Sequence, residues 1–115
     1  MKVDEFRRVI QERIRCHNEW TYGIEKCWKE EIEILTEDIA GTIEFLRNEC
    51  TADEYSWISE VIEDVVELVP NKELVRVYKN LMSKYPEESA RYNIHDSIEQ
   101  LETILEWEEQ NGEKD

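Results

Sequence analysis

Two prolines, three glycines and three cysteines are all that a chain of 115 residues carries of the residues that punctuate or staple a fold. So few turn formers exclude a succession of tight hairpins and favour helix over sheet. Cys16, Cys27 and Cys50 are odd in number and share no CxxC spacing, which reads as free, packed thiols and argues against a disulfide framework. There is no run of about 18 apolar residues, and the opening MKVDEFRRVIQERIR is charged throughout, unlike a signal peptide. A soluble, cytoplasmic protein is the expectation. Positive charge is scarce as well: 14 Lys/Arg against 29 Asp/Glu leave a net charge of −15. Nucleic acid and anionic membrane surfaces are poor partners for such a chain, and a basic protein is a good one.

Hydrophobic residues make up 40% of the sequence, with four Trp and five Tyr, which is enough apolar material for one core. A single helical domain over residues 1–110, with a frayed tail at 111–115, follows from that length. The negative charge is not spread evenly. Residues 1–29 hold seven bases and five acids (+2), and residues 30–67 hold one base and thirteen acids (−12). Residues 68–95 return to +2, and residues 96–115 come to −7. Two acidic blocks are therefore separated by a mildly basic one.

Apolar spacing is helical almost everywhere. Val3, Phe6, Ile10 and Ile14 predict a helix over 3–17, with His17 on the same side, and NEWTYG (18–23) predicts a break punctuated by Gly23. Ile24, Trp28, Ile32 and Leu35 predict a second helix ending near Leu35. Thr36 before Glu37 and Asp38 looks like the cap of a third, built on Ile39, Ile43 and Leu46, although Gly41 weakens it by about 1 kcal/mol against alanine. Thr51-Ala-Asp-Glu54 is a capping box, and one helix over 51–69 follows it until Pro70. Asn71 caps the next, with Leu74, Tyr78, Leu81 and Tyr85 on one face. Pro86-Glu-Glu predicts a short helical turn, and Ile94, Ile98, Leu101 and Leu105 mark the last helix. The expectation is an all-α domain of five or six helices, with sequential neighbours packed antiparallel.

On a 51–69 wheel at 100° per residue, Glu60, Glu63, Asp64 and Glu67 form a stripe opposite the core, with Trp57 at its edge beside Asp64. Like charges at these spacings weaken an isolated helix. A solvated face would account for them, but such faces normally interleave lysines, and here none is interleaved. Trp57, Glu60, Glu63, Asp64 and Glu67 are accordingly the candidate partner-binding residues, with the acids of 96–115 as a second patch. Core packing is the ordinary role for Trp57, and tryptophan also anchors interfaces.

Other chemistry has less support. There is no HExxH, no ExxH pair and no zinc-type Cys/His spacing, so no metal or cofactor is expected. Cys16-His17 reads as a packed thiol beside a core histidine, and His95 before Asp96 as local capping. Glu30, Glu33, Glu60, Glu63 and Asp64 could imitate the ExxE and ExxD sets that hold Mg²⁺ in all-α nucleotide pyrophosphohydrolases. Their spacing departs from that pattern, and only Arg47 in the block could meet a phosphate.

ECTADEYSWISEVIEDVVE (49–67), KYPEESARYNI (84–94) and TIEFLRNEC (42–50) resemble small bacterial immunity proteins. These accompany the toxin domains of contact-dependent growth inhibition and related polymorphic toxin systems. The resemblance runs over residues 36–94 and leaves the N-terminal third aside. It implies an all-helical protein without catalytic activity that binds a cognate toxin domain, often a nuclease with a basic cleft, and blocks it. It does not say which residues touch the toxin. An acidic adaptor for another basic partner is the alternative, and monomer and homodimer both stay open.

Overall fold

Thirteen residues of strongly amphipathic sequence open the fold. In the computed structural model, which describes residues 1–16 and 20–112, they form α1 (Val3–Arg15). It is followed by α2 (Thr21–Glu37), α3 (Ile39–Asn48), α4 (Ala52–Ile58) and α5 (Ile62–Leu68). Then come α6 (Lys72–Lys84), α7 (Pro86–Arg91) and α8 (Ile94–Gly112). Among the described residues there are eight helices and no strand. The all-α class stands, and the expected count of five or six is corrected upward. His17, with its expected place on the α1 face, lies outside the described residues, as do 113–115 of the tail. Asn111 and Gly112, expected to fray, continue α8.

The extra helices have local causes. The predicted 51–69 helix divides at 59–61, where Glu60 N donates to Trp57 O and Val61 N to Ile58 O, a tighter 3₁₀-like pattern. Ser56 Oγ donates to Asp53 O at 2.6 Å, and Ser59 Oγ donates to Ser56 O. Serine hydroxyls that engage nearby carbonyls compete with the helical ladder; Ser56 precedes the break and Ser59 opens it. Pro86 at the first position of α7 turns the predicted helical turn into a six-residue helix. Asn93, at φ 52°, makes the left-handed corner into α8.

Caps follow the sequence at two of three places. Thr51 Oγ1 accepts from Glu54 N (3.2 Å) while Thr51 N donates to Glu54 Oε1 (3.0 Å), completing the capping box. Asn71 accepts from Leu74 N at 3.0 Å. Thr36 is not a cap. It lies inside α2 with its hydroxyl turned back to Ile32 O, and Asp38 caps α3 by accepting from Gly41 N. Gly41 therefore sits in the first turn of α3, where a Cβ would collide with the Met1 amino group and the Asp38 carboxylate that it contacts at 2.9 Å. Gly23 likewise lies within α2, not in a break, and the Trp20 ring covers the space a side chain would need.

The core draws on all helices but the short α7. Phe6 meets Phe45 edge-on at 5.6 Å, and Tyr55 lies 4.9 Å from Tyr78. Ile58, Ile62, Val65, Val66, Leu74, Ile94 and Leu101 complete its centre. Packing is not confined to sequential neighbours: α3 packs on α6, α5 on α8, and α2 on α5, besides α1 on α2. This corrects the expected run of neighbouring antiparallel pairs. Ile14, expected on the core face of α1, is 42% exposed, and Arg13 takes the inward place.

Candidate functional site

The break at 59–61 decides where the acids go. Glu60 leaves the helical surface and is gripped by α1: Arg13 Nε reaches its Oε1 at 3.0 Å and Arg13 Nη2 its Oε2 at 2.8 Å. Trp28 Nε1 on α2 adds a third bond to Oε1 at 3.1 Å. A forked guanidinium–carboxylate pair of this kind fixes orientation as well as charge. The same guanidinium lies 5.1 Å over the ring of Trp57, which is half-buried against the core. The Trp57 Nε1 is buried without a hydrogen-bond partner among the described residues. Of the five expected partner-binding residues, Trp57 and Glu60 are thus engaged at the α1–α2–α4 junction, where Trp57 is half-buried and Glu60 keeps part of its surface in solvent.

Behind that junction lies a residue the wheel did not consider. Glu31 of α2 is fully buried, and neither carboxylate oxygen has a hydrogen-bond partner among the described residues. Burial, reinforced by the negative Glu60 and only partly relieved by Arg13, pushes its pKa from 4.5 up to about 8. At neutral pH this side chain is mostly an uncharged acid. Its signal was present in the sequence: Ile24, Cys27, Glu31 and Ile34 recur at three and four, so a glutamate occupies a core position of an otherwise apolar face.

Glu63, Asp64 and Glu67 do share an exposed aspect on α5. None has an ion-pair partner among the described residues. Asp64 and Glu67 form one wall of a groove of about 750 Å³ between α5 and α2. Trp28, Ile32 and Leu68 supply its apolar surface, and Glu25, Lys29 and Glu33 its opposite rim. Leu68 is 65% exposed, a large cost for an aliphatic side chain with nothing to cover it. Glu67 also borders a second groove, of about 390 Å³, between α5 and α8, where Ile104 and the 60%-exposed Trp107 meet Thr103 and Glu108. Five carboxylates and one lysine therefore surround two adjoining apolar grooves. Trp28 joins the two regions, because its ring lines the groove while its N–H is anchored to Glu60.

In the second expected patch, the acids of 96–115, two carboxylates are answered by lysines. Lys79 contacts Glu102 at 2.9 Å and Lys72 contacts Glu109 at 3.1 Å, both from α6. Glu108 instead faces the α5–α8 groove. Nor do Glu30, Glu33, Glu60, Glu63 and Asp64 converge as an ion site would require. Glu60 is turned to Arg13, and among the described residues no three His, Cys, Asp or Glu side chains lie close enough to share a metal. Among the described residues, no helix is long and apolar enough to cross a membrane.

No family model, curated protein or solved structure matches this chain.

Proposed function

We propose that this protein is a non-enzymatic binding protein that captures a cationic protein surface on its α2–α5–α8 face. The partner in this reading is a toxin domain with a basic cleft, as the resemblance of residues 36–94 to immunity proteins implies. The observation that carries the proposal is the pair of adjoining grooves, apolar inside and bordered by Glu25, Glu33, Asp64, Glu67 and Glu108, with Lys29 as the sole base among the described residues. Exposed Leu68 and Trp107 offer the desolvated area that gives an interface its affinity. The carboxylates supply the complementary potential that selects a basic partner and speeds encounter toward about 10⁸–10⁹ M⁻¹s⁻¹ at low salt. Glu60 serves this face indirectly, by holding Trp28 in the groove wall.

The test titrates a basic toxin domain that co-purifies with the protein against wild type and the Asp64→Lys, Glu67→Lys double variant, and recovery of no such domain would count against the reading. A nanomolar complex that weakens with salt, and an association rate lowered at least tenfold by the charge reversal, support the proposal. Lys79→Glu, on the far α6–α8 edge, should leave the rate within twofold. Equal rates for wild type and the double variant would remove this face from consideration.

A further inference from the structure

We propose that Cys16 and Cys27 form a redox-modification site, a pair of thiols that closes to a disulfide and latches the end of α1 to α2. The two Sγ atoms are 3.9 Å apart, already in contact across two helices that pack on one another. A disulfide needs about 2.05 Å, so closure asks for about 2 Å of movement. Cys16 can supply it through its side chain: it is the extended C-cap residue of α1 (φ −66°, ψ 129°), with its N–H held by Glu12 O and Arg13 O. Cys27 is fixed within α2 and only 4% exposed.

The surroundings divide the chemistry between the two sulfurs. Cys16 is half-buried and borders an open groove of about 350 Å³, so a small oxidant can reach it. Arg15 and Lys26 stand at that groove beside Glu12, giving it a basic margin that is rare on a chain of net charge −15. Such a margin favours an anionic oxidant, and glutathione disulfide is the class that fits. Burial and the neighbouring sulfur push the Cys27 thiol up to about 11, which keeps it protonated until a bond partner is at hand.

The Cys16 thiolate attacks one sulfur of glutathione disulfide. That S–S bond breaks, a Cys16–glutathione disulfide forms, and one glutathione leaves and takes up a proton. Cys27 then gives up its proton, and its thiolate displaces the second glutathione from the Cys16 sulfur. The two protein thiols lose two electrons, and glutathione disulfide is reduced to two glutathiones. Cys50 takes no part, being buried at another junction with its thiol directed to Thr51 O.

The test equilibrates the full chain in graded mixtures of reduced and oxidised glutathione, quenches with acid, alkylates and maps the peptides by mass. An internal Cys16–Cys27 disulfide that accumulates with the oxidised fraction, with Tm rising by about 5–10 °C, is the expected result. Cys16→Ser should abolish both changes, Cys50→Ser should keep both, and Cys27→Ser should stop at the Cys16–glutathione mixed disulfide. If Cys16 and Cys27 are both alkylated in wild type at every ratio, or only intermolecular disulfides form, the proposal fails. Because Cys16 is half-exposed, Cys16→Ser keeps the comparison decisive even if the buried Cys27 variant does not fold.

Discussion

Replacing Glu31 by Gln keeps the shape of the side chain and removes its ability to ionise, which makes it the sharpest probe of the α1–α2–α4 junction. In the unfolded chain a glutamate titrates near 4.5, and in the fold this one is pushed to about 8. The raised folded value means that Glu31 favours the folded state fully only below the unfolded pKa. That advantage drains away as pH climbs from about 4.5 to about 8 and is gone above the folded value. Each unit in that window is worth about 1.4 kcal/mol, so the wild type should be less stable at pH 7 than at pH 4.5 by about 3 kcal/mol on this account alone. Against a total stability of about 5–15 kcal/mol, that is a large fraction. Urea unfolding at half-unit steps from pH 5 to 8 reads it directly. The wild-type curve should fall, the Glu31→Gln curve should be flatter, and the two should diverge with rising pH. Parallel curves would mean that Glu31 ionises at an ordinary pH and that the junction is wetter than its packing indicates.

Two stability predictions follow from neighbouring contacts. Glu60→Ala deprives Arg13 of both bonds and Trp28 of its acceptor, and because Arg13 is only 10% exposed the loss should be about 2–3 kcal/mol in chemical denaturation, with Trp28 fluorescence shifting to the red. Thr51→Ala should cost about 1 kcal/mol as a lost cap. Glu54→Ala should cost more than Thr51→Ala, since the same carboxylate accepts Thr51 N at 3.0 Å and Arg7 Nε at 2.8 Å and so ties α1 to α4; equal losses in urea titrations would count against that bridge.

Much of the fold was legible because periodicity and capping are local. Spacing alone places Phe6, Ile10, Leu74, Tyr78 and Leu101 inward, and each is buried. The capping box and the Asn71 cap likewise depend on residues three apart. Part of the candidate surface was legible too, since Glu63, Asp64 and Glu67 remain exposed whether or not the helix is continuous. The wheel placed Trp57 at the edge of the core, where it packs half-buried, and missed the contacts of Glu60 because it assumed one unbroken axis from 51 to 69. Once 59–61 tightens, residues on either side no longer share an angular frame.

By itself the sequence determined an all-α chain with defined apolar faces, a charge of −15 and two acidic blocks, because each of these depends only on composition or on neighbours within two turns. Tertiary structure decided which carboxylates are answered. Packing α6 against α8 brings Lys72 and Lys79 to Glu109 and Glu102, and packing α1 near the 59–61 turn brings Arg13 to Glu60. Placing α5 between α2 and α8 puts Asp64 and Glu67 beside more acids and two apolar grooves. Coulomb energy depends on distances across the fold, and those distances belong to no single helix.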